Sequence, residues 1–303
     1  MRYKYYLAVI TAFTIWGFFS LVLKSLDAFP AFDILIFRAL ISVSIMLLVS
    51  LVLRPKVLKK NIKIYQTLSK NKKRQVWIVN LLSGLFLALN WFIFIYVMNH
   101  VSVSATSLAY LICPILTMVL AYFILKERLF KIQWFSVFLS LVSCLILSLG
   151  NFTDLFYSMI IAFTYAIYLV LQRKNQEIDR FMVLTLQIGV AVVLLLPFFP
   201  IYISDIEKTS FFYAIIVLIA LVFTIVPMYL NIYALKGLNS SVVGIFIYLN
   251  PIINFLLAVF YFKEHIGFLQ GLSFSLIGIS VIIFNIPNFK SQLSKRKATH
   301  VKI

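Results

Sequence analysis

The sequence is poor in most of what builds catalytic chemistry or a wetted surface. Of 303 residues, nine are acidic, three are histidine and two are cysteine, and charged residues make up only 12%. A soluble domain carries about 25% charge, so this chain has too little to cover a soluble surface of its size. Cys113 and Cys144 both lie inside apolar runs and supply neither a disulfide framework nor a Cys/His metal site. His100, His265 and His300 fall in loops or in the tail, so no Ser/His or His/Asp arrangement sits within an apolar segment. No P-loop occurs, which argues against ATP-driven transport by this chain alone. We expect no enzyme, no metal site and no cofactor.

What the chain does hold is apolar sequence: 63% hydrophobic residues and a mean hydropathy of +1.04. A helix needs about 20 apolar residues to cross about 30 Å of hydrocarbon. Such blocks run at 5–23, 34–53, 76–98, 104–125, 132–149, 155–171, 181–203, 211–235, 241–262 and 266–286. They are too long, and too rich in Leu, Ile and Phe, for barrel strands, which alternate over about 10 positions. The expected fold is therefore an all-α integral membrane protein with ten transmembrane helices. The first block follows Arg2 and Lys4, but no small-x-small cleavage site comes before Lys24, so it reads as a retained helix.

The net charge of +18 ordinarily suggests a polyanion as partner. Here its placement matters more than its sum. Arg54, Lys56, Lys59, Lys60, Lys63, Lys70, Lys72, Lys73 and Arg74 lie between the second and third blocks with no acid among them. Placing that segment in the cytoplasm puts both termini inside, together with 23 of the 27 Lys and Arg. Only Lys24, Lys208 and Lys263 are then outside, and Arg38 lies within a span. The charge becomes a record of orientation in a cell inner membrane, and nucleic acid is not expected as a partner. The basic 54–74 segment is then a topology determinant with a surface amphipathic stretch, or a site for anionic lipids at the cytoplasmic face.

The chain also repeats itself. Shifting 96–149 by 137 positions superposes Tyr96 on Tyr233, Ser104 on Ser241, Pro114-Ile115 on Pro251-Ile252, Lys126-Glu127 on Lys263-Glu264 and Gln133 on Gln270. Near the start, Ala12-Phe13-Thr14 matches Ala162-Phe163-Thr164 at a shift of 150. Two units of five helices follow, 1–150 and 151–289, with a basic cytoplasmic tail at 290–303. Five is odd, so the second unit enters the membrane inverted. Inverted repeats are a mark of secondary transporters, in which a small solute sits near the midplane between the halves. The duplicated Lys126-Glu127 and Lys263-Glu264 pairs are read as helix-end anchors, with a gating role as the alternative.

These residues resemble the drug/metabolite transporter superfamily and its EamA branch, and their local motifs are similar to those of RarD proteins. The resemblance rests on Ile15-Trp16-Gly17 with Lys24, Asp33-Ile34-Leu35 with Arg38, and Asn90-Trp91 with Phe94-Ile95 and Asn99. Ser107-Leu108-Ala109-Tyr110 with Pro114, Glu127-Arg128 with Gln133-Trp134, and Tyr248 with Pro251 and Phe255 extend it over nearly the whole chain. It implies an inner-membrane permease of the kind often labelled a chloramphenicol-sensitivity protein. Two positions depart from the pattern. Asp33 stands where the family usually has Glu, and Phe37 stands where it has His, which removes a titrating neighbour from Arg38.

Polar groups inside hydrocarbon are costly and tend to face cavities or one another. Arg38 is the only charge well inside a span, and either binds a carboxylate or phosphate or snorkels outward or pairs with Asp33. Asn90, Trp91 and Tyr110 fall at similar depth and form either an amphipathic vestibule able to hold an aromatic or zwitterionic solute or contacts between helices. By the repeat, Gln187 corresponds to Arg38, Pro227 to Asn90, and Tyr248 with Asn250 to the region of Tyr110. Pro114, Pro227 and Pro251 are candidate kinks, and Pro114 and Pro251 read as mid-helix prolines that suit gating. Gln172, Asn231 and Asn254 are assigned to helix ends or helix contacts. No Asp or Glu lies securely within a span, so a simple carboxylate relay is not expected. The reading is a permease for a small metabolite or drug-like, amphipathic solute, working by alternating access. The alternative is a non-transporting interaction or sensor protein using the 54–74 segment. Oligomeric state is left open, a homodimer included.

Overall fold

The computed structural model describes residues 3–148, 152–174, 178–261, 263 and 267–300. The N-terminal half of the chain holds α1 (Tyr3–Leu26), α2 (Ala31–Leu53), the surface helix α3 (Pro55–Thr67), α4 (Lys70–His100), α5 (Val103–Leu125) and α6 (Lys131–Leu147). The C-terminal half holds α7 (Phe152–Lys174), α8 (Arg180–Tyr202), α9 (Ser210–Ala234), α10 (Ser240–Phe246), α11 (Leu249–Phe260) and α12 (Phe268–His300). Among the described residues nine segments are long and apolar enough to cross a membrane, α10 and α11 forming one of them, and α6 is a shorter apolar helix. At about 1.5 Å per residue its 17 residues span about 25 Å. The protein is thus an all-helical, multi-pass membrane protein, and the ten expected apolar blocks all become helical segments.

Several boundaries move for physical reasons. The 155–171 block extends to Phe152–Lys174, because Asp154 fits the positive N-terminal end and Arg173 and Lys174 fit the last turn. The 54–74 segment is largely ordered, since Pro55 opens α3 and its Lys56, Lys59, Lys60 and Lys63 share an exposed polar side. The expected tail is helical through His300, continuing α12. The 241–262 block is not one helix. It breaks at Ile247–Tyr248, so Pro251 stands in the first turn of α11 rather than in mid-helix, where its missing N–H costs nothing. Pro114, by contrast, lies inside an unbroken α5.

Helix pairing follows an exchange of the two halves. Where α5 packs on α7, α10 and α11 pack on α1, and where α4 packs on α7, α9 packs on α1. The pairs α2–α8, α5–α10 and α6–α12 cross between the halves at corresponding places. Lys126, the C-cap of α5, and Lys263, three residues beyond the end of α11, lie 137 positions apart and both adopt the left-handed region at φ 56°. That conformation costs a residue with a Cβ about 1–2 kcal/mol, so its duplication is a structural echo of the sequence repeat. Glu127 does more than anchor a helix end. Its carboxylate accepts from the Ser240 and Ser241 backbone N–H groups at 2.8 and 3.0 Å and from the Ser241 hydroxyl, capping α10 across the two halves. Its counterpart Glu264 lies outside the described residues.

Small and hydroxylic residues set the tightest contacts, as expected where lipid gives helices no hydrophobic reason to associate. Ser136 and Ser143 donate to the Ser280 and Ser273 carbonyls at 2.7 and 2.8 Å, joining α6 to α12. Gly84 on α4 lets α8 approach so closely that an added Cβ there meets Val190 Cβ at 2.6 Å. Gly84→Val should therefore overpack this contact by about 1–3 kcal/mol. The check is a lower unfolding midpoint in detergent micelles, with Gly189→Ala, where a Cβ meets nothing closer than 3.8 Å, as the tolerated control.

Candidate substrate cavity

A cavity of about 590 Å³ lies between the two halves, within the range of about 300–1,000 Å³ usual for small-molecule sites. Phe13, Leu87, Cys113 and Met228 mark its depth near mid-span. Leu23, Ala31, Met98, Ser104 and Gln270 carry it to the span ends opposite the N-terminus. At the other end the bundle is shut by aromatic packing. Tyr5 stacks obliquely on Tyr233 at 5.2 Å, Tyr6 meets Phe246 edge-on at 6.1 Å, and Tyr229 stacks on Tyr233 at 6.4 Å. Gly237 admits the Tyr5 ring where any Cβ would collide with it, and Arg173 donates to the Leu235 carbonyl.

The proline positions explain part of the wall. Pro227 has no N–H, so the Phe223 carbonyl four residues earlier loses its helical donor. The Trp16 indole N–H takes that place at 2.8 Å, tying α1 to α9 beside a π-helical turn at Ile219–Ile225. Pro114 deprives the Tyr110 carbonyl in the same way, and Tyr110 lines the cavity. Pro251 and Asn250 line it from the first turn of α11.

Arg38, Asn90, Trp91, Tyr110 and Asn250 converge on this cavity. The Arg38 guanidinium carbon sits 5.3 Å from the Trp91 ring centre and 5.7 Å from that of Phe19, both within cation–π reach. It does not pair with Asp33. Five residues along a helix turn a side chain by about 140°, and Asp33 faces elsewhere, held by Lys208 at 2.9 Å and by the Ser204 N–H at 3.1 Å. Asn90 also serves as a helix contact: its amide donates to the Ile161 carbonyl at 2.9 Å and to Thr164 at 3.1 Å, joining α4 to α7.

Two expected lining residues lie elsewhere. Gln187 is fully buried among α4, α7 and α8, bonded to Gln172 and, at 3.1 Å, to Asn80. Tyr248 is also fully buried and is not on the cavity wall. The repeat places both at the right depth, but the rotation of their helices turns them into protein. Asn254, assigned to a helix contact, is on the wall. It donates to Asn250 at 2.9 Å and accepts from the Ser20 hydroxyl at 2.9 Å, a polar ladder from α11 to α1. Its signal was present in the sequence, four residues after Asn250 and hence on the same helix face.

The family of this chain is decided by a profile match spanning residues 3–149 and 153–286, described as the EamA-like transporter family. The chain belongs to the EamA-like transporter family. The two matched ranges each cover a different half of the chain. It is 27% identical over 281 residues to an uncharacterized transporter, YojE, of Bacillus subtilis, covering 92% of each chain. It is 28% identical over 289 residues to Protein RarD of Escherichia coli, again over 92% of each chain. A solved crystal structure shares the EamA chain's fold with a TM-score of 0.73 at 14% identity, over 93% of this chain and 96% of that one. Family and relatives point to a membrane transporter rather than to an enzyme.

Proposed function

We propose that this EamA-family chain is a secondary permease that moves a small, amphipathic organic solute by alternating access. The observation that carries the reading is the cavity at the junction of the two halves. Its wall draws on α1, α2, α4, α5 and α6 from one half and on α7, α9, α11 and α12 from the other. A rocking of one half on the other opens such a site to one side and then to the opposite side. In this reading the units are 1–150 and 151–289, and the aromatic plug at Tyr5, Tyr229 and Tyr233 must part for the solute to leave. Pro251 and the π-turn residues Phe223 and Thr224 on the cavity wall support such movement.

The positive-inside bias supports an inner-membrane location with both termini, the plug and α3 on the cytoplasmic side. The cavity then faces outward in this structure. The exposed lysines of α3 lie against the anionic lipid surface, and Asn61 pins the helix by accepting from the Asp179 N–H at 2.8 Å. Single cysteines at Ser69 and Thr209 should label from opposite sides of the membrane, Ser69 from the cytoplasm. Labelling of both from one side would overturn the topology. Transport itself is tested by saturable solute flux in proteoliposomes. An outcome of binding without flux would favour a sensor over a permease.

A further inference from the structure

Arg38 lines the cavity from α2. Among the described residues it is the only charged side chain lining the cavity, and no carboxylate, ammonium or imidazole accompanies it there. Its Nε is buried without a hydrogen-bond partner, and its guanidinium makes no hydrogen bond or ion pair to any described residue. The nearby acid Asp33 is fully buried and committed to Lys208 and Ser204. The side chain as a whole is half-buried and faces the cavity, so its fork of donors is left unclaimed by the protein and open to an anionic group of a solute.

From this geometry we infer that the cavity is built for an organic monoanion, a carboxylate on an aromatic body, and discriminates against zwitterions and cations. The inference rests on the permease reading and names its solute class. The carboxylate accepts from the Arg38 fork, the geometry for which guanidinium is suited. The body lies among Trp16, Trp91, Phe94 and Tyr110, whose faces and edges suit an aromatic ring. The negative faces of Trp91 and Phe19 already meet the guanidinium, holding it in place without neutralising it. An ammonium group meets no acid on the described wall, so a zwitterion leaves half of its charge unmatched. A phosphate monoester brings about −1.5 to −2 charges at neutral pH and would need a second cation.

The test uses three probes sharing a phenyl body: phenylacetate, phenylalanine and phenethylamine. Binding to the full-length protein in nanodiscs is read by calorimetry and by the fluorescence change of Trp91, with Trp91→Phe assigning the signal. Phenylacetate should bind at least tenfold more tightly than the other two. Arg38→Gln should abolish that preference, whereas Arg38→Lys, which keeps the charge but not the fork, should retain part of it. Unfolding midpoints of both variants establish that they are folded. Equal binding of the three, a preference for phenylalanine or phenethylamine, a preference surviving in Arg38→Gln, or no binding of any probe would each overturn the inference. Flux is measured separately on the same probes. Selective phenylacetate binding without flux refutes the permease reading and leaves the charge inference standing, while flux without charge preference does the reverse.

Discussion

Asp33→Ala is expected to lower stability by about 3–5 kcal/mol, the usual cost of stranding one member of a buried ion pair. Asp33 is fully buried at the start of α2, and Lys208 is only 11% exposed. The Asp33 carboxylate accepts from Lys208 at 2.9 Å, from the Ser204 N–H at 3.1 Å and from the Ser204 hydroxyl at 2.5 Å. Truncation leaves Lys208 with only the Ser204 carbonyl and hydroxyl as partners, at 2.6 and 3.2 Å. The contact joins α2 to the segment after α8, so its loss should also loosen the packing of α2 on α8. Unfolding midpoints in mixed micelles measure this. The double variant Asp33→Ala with Lys208→Ala should be less destabilised than the sum of the singles, because it removes the stranded charge as well. Strict additivity would show that the pair carries no coupling. At the opposite end of the same two helices, Asp179 meets Arg54 at 3.3 Å, but both are near 30% exposed. Its ion-pair contribution should be under about 1 kcal/mol, so Asp179→Ala should cost mainly its helix cap to Phe181 and Met182, about 1 kcal/mol.

The second large effect concerns selectivity. Arg38→Glu replaces the single charge of the described wall by its opposite. Two unit charges 4 Å apart interact by about 1 kcal/mol in water and about 4 kcal/mol at an effective dielectric constant of 20. The cavity is open at one end, so its effective dielectric constant falls between these. Phenylacetate binding should weaken by tenfold or more and phenethylamine binding should rise, inverting the order of affinities. Raising the pH should strengthen the inversion, because a carboxyl among apolar neighbours resists ionisation. An unchanged order at all pH values would mean that the solute never approaches position 38.

Much of this architecture is legible in the sequence because the bilayer imposes one length and one polarity on every crossing segment. The apolar blocks therefore appear as helices with ends shifted by a few residues. The shifts occur where polar residues at a helix start, Asp154 in a first turn and Asp179 as an N-cap, extend a helix beyond its apolar run. The recurrence within the sequence is plain as well, since the Lys-Glu pair and proline repeat without gaps. The cavity wall is less legible. Depth follows from residue count, but facing follows from helix rotation, which apolar sequence on all sides does not encode. That is why Arg38, Asn90, Trp91, Tyr110 and Asn250 reach the wall while Gln187 and Tyr248, at matching depth, do not. Partners distant in sequence were hidden for the same reason. Nothing local predicts that Glu127 caps α10, that Trp16 rescues the carbonyl freed by Pro227, or that Lys208 claims Asp33.

The central claim is that solute crosses through the cavity between the halves. Ser20 is exposed on its wall, so a Ser20→Cys variant in a background of Cys113→Ala and Cys144→Ala places one reactive thiol there. Flux of the three phenyl probes is measured in proteoliposomes, with protein-free liposomes giving the passive leak, before and after treatment with a bulky thiol reagent. The account predicts saturable flux of at least one probe, its loss on modification, and protection of the thiol by that probe. Absence of flux for all three, or flux that persists with the cavity thiol fully modified, would contradict it.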